Sequence, residues 1–263
     1  RAQAIKRSWF KKKASGTVNA RAESLVAALA PKSPTTEAYR MIRTSLSYSK
    51  NYNGDGIRAL LFTSPAPGDG KTTTASNIAV TFALQKKRVL IVDCDLRRGT
   101  LNQMFNISGS RGVTTILQEG ATIEECIQTL PLPGGCALHV LPSGHTSAAA
   151  AEMLSSPALA DLVNQLKDMF DLVILDTPPI NLVADAGILG ASVDGAVVVS
   201  RAGKTQRGEL HFALENLQQT DVNVLGLVVN DFNPTADEYG EYGKKYKGQY
   251  YYSTKTAYGD DED

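Results

Sequence analysis

At 263 residues, 43% hydrophobic and 21% charged, the chain has the make-up of a globular protein with one large core, not of a disordered or fibrous one. The formal net charge is zero, so no global charge points to nucleic acid, and no apolar run reaches the roughly 18 residues that span a bilayer. Cys94, Cys126 and Cys136 form no CxxC pair and leave one over, which sets aside a disulfide framework and a zinc site and fits a reducing cytoplasm.

The chain opens on Arg1, Lys6, Arg7, Lys11, Lys12 and Lys13 without an acid, around Trp9 and Phe10. Two readings stand side by side: a juxtamembrane-like arm lying against an anionic membrane surface, or a solvated arm. Residues 1–33, which lack periodicity and reach Pro31 and Pro34, read as this arm or linker. Order is expected from Thr35 or Thr36, either of which caps a helix to about Ser49. Apolar, β-branched-rich strands are expected at Ile57–Ser64, Arg88–Asp95, Leu138–Pro142, Asp171–Asp176, Gly195–Ser200 and Val222–Asn230. Helices are expected between them at Lys71–Gln85, Ala148–Met169 and Arg207–Thr220. Continuous apolar strands alternating with helices specify an α/β fold, a doubly wound, mostly parallel sheet with both faces covered. Its ligands bind outside the carboxyl ends of the strands. The domain is expected over residues 34–233, followed by a flexible tail over 234–263.

The first strand runs into Ser64-Pro65-Ala66-Pro67-Gly68-Asp69-Gly70-Lys71-Thr72-Thr73-Thr74 and then a helix. Glycines there let backbone N–H groups turn towards phosphate oxygens, and the helix N-terminus adds partial positive charge. In such a P-loop NTPase, Gly68, Asp69, Gly70, Lys71, Thr72 and Thr73 are the nucleotide-binding positions. Lys71 reaches the β- and γ-phosphates and the Thr72 hydroxyl ligates Mg²⁺. Pro65 stands where the usual pattern has its first glycine.

Two further strands end in acids. Asp93 and Asp95 close the second strand two residues apart, on one side of the strand end, and Arg97 follows. One carboxylate there can orient metal-bound water while its neighbour accepts a proton from an attacking hydroxyl. The strand Leu172-Val173-Ile174-Leu175 ends in Asp176-Thr177-Pro178-Pro179, the form of a Walker B segment aimed at the Mg²⁺ shell.

These three motifs together resemble those of the cytoplasmic domain of bacterial tyrosine kinases, the group tied to capsule and exopolysaccharide export, over residues from about 35 to 232. The resemblance implies an ATP-dependent protein-tyrosine kinase that autophosphorylates its C-terminal tyrosines between subunits, with Mg-ATP held by the P-loop, the D-x-D-x-R motif and the D-x-P motif. Residue by residue it assigns Lys71 and Thr72 to phosphate and metal, Asp93 to activation of the tyrosine hydroxyl, and Asp95 and Asp176 to the magnesium shell. Lys71, Asp93 and Asp95 are thus the catalytic candidates, and Thr72, Asp95 and Asp176 the metal ligands. It also implies a place at the inner face of the bacterial plasma membrane, reached through an upstream segment or a separate activator chain. Inner-membrane polysaccharide export machinery and a tyrosine phosphatase are the partners, and no nucleic acid is expected. Related septum-placing and chromosome-partitioning ATPases carry an extra lysine early in the P-loop. Ala66 occupies that place, which favours the kinase over a nucleotide switch of that kind.

Glu37, Arg40 and Arg43 follow an E-x-x-R-x-x-R spacing expected to align them on one helix face. The spacing resembles the self-association motif of the same kinases and implies a homo-oligomer with head-to-tail contacts that close a ring. Seven of the ten tyrosines, Tyr239, Tyr242, Tyr246, Tyr250, Tyr251, Tyr252 and Tyr258, lie in the last 25 residues among glycines, a composition that disfavours a stable helix and reads as a substrate tail to be phosphorylated. His139, His145 and His211 have no metal or nucleophile spacing and read as structural or surface residues, and Ser143-Gly144 reads as a turn. Arg201-Ala202-Gly203-Lys204-Thr205 either approaches the nucleotide or caps a helix. Asn230 resembles a base-contacting position of related ATPases.

Overall fold

The protein is described from a computed structural model covering residues 24–50 and 54–232. The basic run before residue 24 and the seven tail tyrosines, Tyr239 to Tyr258, lie outside the described residues.

Seven strands form one sheet in the order β3-β4-β2-β5-β1-β6-β7. They are β1 (Ala59–Thr63), β2 (Val89–Asp93), β3 (Gln128–Pro131), β4 (Ala137–Leu141), β5 (Leu172–Asp176), β6 (Gly195–Arg201) and β7 (Val224–Asn230). All neighbours are parallel except β3, which pairs antiparallel with β4 at one edge. This confirms the expected doubly wound, mostly parallel α/β sheet. The edge strand β3 was not anticipated: only alternate residues are even half-buried and Pro131 ends it, so it lacks the apolar run that marks the central strands.

Strand alternation divides the interior into two cores. Leu61, Leu90, Val92, Val173, Leu175 and Val198 face one side, against α7 (Ala150–Leu154), α8 (Pro157–Met169), α9 (Asp185–Gly190) and α10 (Arg207–Gln219). Leu60, Phe62, Val89, Ile91, Ile174 and Val199 face the other, against α1 (Val26–Leu29), α2 (Pro34–Ser47), α3 (Lys71–Ala83) and α4 (Leu101–Met104). Short helices α5 (Val113–Glu119) and α6 (Ile123–Cys126) lead into β3. None of the helices among the described residues is long and apolar enough to cross a membrane.

Two helical expectations need correction. The stretch Ala148–Met169 is two helices: Ser156 is extended and Pro157 opens α8 at a first-turn position, where its missing N–H and fixed φ suit a start and not an interior. Order also begins before Thr35. Leu25 and Ala27 are fully buried, and Asn77 of α3, itself fully buried, binds that segment by accepting from the Ala27 N–H and donating to the Ser24 carbonyl, each at 2.9 Å. Helix α2 then starts at Pro34, capped by the Ser33 hydroxyl.

Candidate active site

Three strand ends and one helix start meet at the carboxyl edge of the sheet. The loop after β1 reaches α3 through Gly68 and Gly70, at φ +86° and +95°, a region that side chains rarely adopt. At Gly70 the close approach is decisive as well, because a Cβ there would fall 2.1 Å from the Asn230 amide nitrogen. That amide donates to the Asp69 carbonyl at 3.0 Å, so Asn230 buttresses the loop from behind. The Asp69 side chain is buried and likewise braces the loop: its carboxylate accepts from the Ala66 N–H at 3.0 Å and the Thr205 hydroxyl at 2.9 Å. Arg201 donates to the Gly68 carbonyl at 3.3 Å and pairs with Asp231 at 2.8 Å. The segment Arg201–Thr205 therefore packs under the loop while Gln206 opens α10.

Lys71 and Thr72 begin α3 and converge on Asp176 at the end of β5. The Thr72 hydroxyl donates to one Asp176 oxygen at 2.7 Å, and the Lys71 ammonium lies 3.4 Å from the other and 3.1 Å from the Thr72 hydroxyl. Asp93 is the register partner of Asp176 across the β2–β5 pair. Burial, then the Asp176 carboxylate beside it, push Asp93 up to about 7. Asp176 is raised too, by burial, with Lys71 and Thr72 working the other way. Asp93, held beside Asp176 in a dry strand end, thus sits where a proton can be taken or given near neutral pH.

A cleft of about 790 Å³ opens over this edge. Gly68, Gly70, Lys71, Thr72, Thr73 and Asp95 line it, as do Arg97, Arg98, Pro178, Pro179 and Leu182. Asp93 lies behind the wall: one oxygen accepts from the Leu101 N–H at 2.9 Å and the other from the Asp95 N–H at 3.2 Å. The Thr72 hydroxyl and Asp95 carboxylate of the cleft wall, with the buried Asp176 carboxylate against Thr72, are hard oxygen donors of the kind that suits Mg²⁺, and the ammonium and glycine turns of the wall suit a polyphosphate.

Sequence reasoning missed Asp185. It is buried on α9 and pairs with Arg97 through two contacts of 3.3 Å, fixing the last residue of the D-x-D-x-R motif. An acid nine residues beyond Asp176 carries no local signal, since the contact with Arg97 exists only once α9 has folded.

The charged helix face is split. Glu37 and Arg40 pair with each other on the surface of α2. Arg43 is half-buried, in line with the buried Thr36, Tyr39 and Leu46 at spacings of three and four, and its guanidinium donates to the Thr81 carbonyl of α3 at 3.2 Å. Burial lowers its pKa. Of the three residues expected along one helix face, Glu37 and Arg40 thus pair at the surface while Arg43 turns to α3. Among the histidines, His139 sits 5.1 Å from the Phe170 ring and 3.0 Å from the Thr129 hydroxyl, His145 contacts Gln118 and Thr114, and His211 pairs along its own helix with Glu215. Ser143-Gly144 lies in the irregular loop after β4, with Gly144 at φ +84°.

A family model described as an AAA domain matches residues 62–223. Tyrosine-protein kinase YwqD of Bacillus subtilis (strain 168) is 38% identical over 84% of this chain and 92% of its own length. The chain belongs to the bacterial tyrosine-protein kinases. The kinase spans only 30% of a longer relative, the putative tyrosine-protein kinase EpsB of Ralstonia solanacearum, at 33% identity over 90% of this chain. Among solved structures, the chimerical protein CapA2B2 superposes with a TM-score of 0.74 at 31% identity, covering 80% of this kinase and 90% of that chain. The septum site-determining protein MinD of Pyrococcus horikoshii OT3, solved with Mg-ADP, has a TM-score of 0.57 at 21% identity over 68% of this chain and 72% of its own, a likeness of fold alone.

Proposed function

We propose that this kinase transfers the γ-phosphoryl group of ATP to tyrosines of its own C-terminal cluster presented by a neighbouring subunit, and thereby regulates capsular or exopolysaccharide synthesis and export. One observation carries the reading: the buried Asp176 carboxylate lies within 3.4 Å of the Lys71 ammonium and the Thr72 hydroxyl, both of which line a cleft whose wall also holds Asp95. Lys71 binds the β- and γ-phosphates, with Gly68, Gly70 and Thr73 around them, and Thr72, Asp95 and Asp176 hold magnesium. When bound, the ion supplies neutralisation of charge on the transferring group. Asp93 accepts the phenolic proton as the tyrosine oxygen bonds to phosphorus and the bond to ADP breaks. Because Asp93 lies behind the wall, that step requires movement of the loop it holds through Asp95 and Leu101.

Glu37 and Arg40 supply an exposed contact for ring assembly, and Arg43 supports it by fixing α2 on α3. The basic start of the chain, an upstream segment or an activator chain brings the domain to the membrane, where the export machinery and a tyrosine phosphatase are its partners. The test is a phosphosite map of the whole chain after incubation with Mg-ATP, beside Lys71→Met. Phosphate on Tyr239 to Tyr258 in the wild type, reduced at least about 100-fold in the variant, supports the reading. Release of free phosphate with no tyrosine modified overturns it in favour of a nucleotide switch.

A further inference from the structure

Three cations line the nucleotide cleft, Lys71, Arg97 and Arg98. Two are committed: Lys71 to Asp176, and Arg97 through a two-point contact to Asp185. Arg98 is exposed, and among the described residues its guanidinium makes no ion pair. Its backbone is fixed, because the Arg98 N–H donates to Asp95 at 2.8 Å. The cleft therefore presents one unneutralised positive charge, anchored three residues from an acid assigned to the metal shell.

The tyrosine-rich segment is charge-patterned. Asp237 and Glu238 precede Tyr239 and Glu241 follows it, and Asp260, Asp261, Glu262 and Asp263 follow Tyr258, whereas Tyr246 is enclosed by Lys244, Lys245 and Lys247 and Tyr242 stands between Glu241 and Lys244. An exposed arginine at the mouth of the site attracts the first group and repels the second.

We propose that Arg98 is a specificity-determining residue which selects acceptor tyrosines flanked by acids, so that Tyr239 and Tyr258 are phosphorylated before Tyr246. The inference rests on the reading of the tail as substrate. An exposed charge contact of this kind changes rates by about two- to fivefold per site. It is weakened by salt, since the Debye length shrinks from about 10 Å at 0.1 M to about 3 Å at 1 M.

The experiment is a phosphosite time course on the full chain, reading the ratio of early phosphate at Tyr239 and Tyr258 to that at Tyr246 within each sample. In the wild type the ratio exceeds one and falls as salt is raised from 0.05 to about 0.5 M. Arg98→Lys keeps it above one, Arg98→Gln brings it close to one, and Arg98→Glu inverts it. An internal ratio is insensitive to a general loss of turnover, so a variant that is merely slow still reports. A ratio unchanged in Arg98→Glu, or an equal fall at all sites as a contact to the nucleotide phosphates would give, overturns the assignment. Absence of tyrosine phosphate from the wild type itself sinks the tail-as-substrate reading, and the inference with it.

Discussion

The two ends of the sheet use the same residue type in opposite ways. At the amino end, Asp194 accepts from the N–H groups of Arg58 and Ala59 at 2.7 and 2.8 Å and lies 3.3 Å from the Lys167 ammonium. Burial alone would raise its pKa, but these donors outweigh burial and the carboxyl is held below its ordinary range. At the carboxyl end, Asp93 and Asp176 are buried side by side, and both are raised. One end is tuned for stability. The other accepts a standing electrostatic penalty, as expected where binding and proton transfer require poorly solvated charge.

Asp93→Asn separates the two most widely. Removing the proton acceptor is expected to lower tyrosine phosphorylation by about 10²- to 10⁴-fold. In the absence of nucleotide it should do the reverse to the fold. The folded state holds the Asp93 proton up to about pH 7 while the unfolded carboxyl releases it near 3.8, so the folded state binds more protons between these values and stability declines as pH rises through that window. The variant lacks that decline, and by pH 8 it should gain on the order of 4 kcal/mol relative to wild type, less the weakened hydrogen bond to Leu101 or Asp95. Denaturant titrations at pH 5 and pH 8 give the measurement. If the gain is equal at both pH values, Asp93 is not the source of the penalty.

How far the two ends could be read from sequence differs for the same reason. The central strands declared themselves because they are apolar on both faces, and Lys71, Thr72, Asp95 and Asp176 because phosphate and metal chemistry fixes residue type and spacing along a short stretch. What escaped is set by contacts distant in sequence. Asp185 meets Arg97 from 88 residues away, Asn77 holds a segment 50 residues upstream, and Asp69 turns its carboxylate to Thr205, 136 residues on. None of these pairs has a local pattern. Arg43 differs from these: its alignment with Tyr39 and Leu46 is legible in the helical spacing, because positions three and four apart share a face. The Ser156-Pro157 start was legible too, as a proline in the middle of an otherwise continuous helical pattern.

At the amino end, Asp194→Ala should be the converse of Asp93→Asn: stability falls and nucleotide binding stays. The substitution leaves the fully buried Ala59 N–H and the half-buried Lys167 ammonium without their acceptor, and about 2–3 kcal/mol is expected at pH 7. A lowered folded pKa gives stability that is present above the unfolded value of 3.8 and disappears as pH falls through the folded one. The difference between variant and wild type should therefore narrow below about pH 4. A Kd for Mg-ADP that rises more than about threefold would show that the two ends are coupled through β1 and β6 and would break the contrast.

Asp171→Asn gives the smallest effect and is the control on burial. Asp171 accepts from the Arg88 N–H at 2.8 Å and its guanidinium at 3.0 Å, and these contacts, the backbone one first, lower its pKa as Asp194's donors lower that of Asp194. The difference is solvent: side chains of Arg88 and Asp171 are 63% and 41% exposed, against 22% and 12% for Lys167 and Asp194. Asparagine keeps an oxygen for the Arg88 N–H and removes only the charge, which water and salt already screen, so a loss of no more than about 0.5 kcal/mol is expected, vanishing near 0.5 M salt. A loss equal to that of Asp194→Ala would mean that carboxylates at this end stabilise through charge alone, with burial irrelevant. The opposite tuning of the two sheet ends would then need a cause other than depth in the fold.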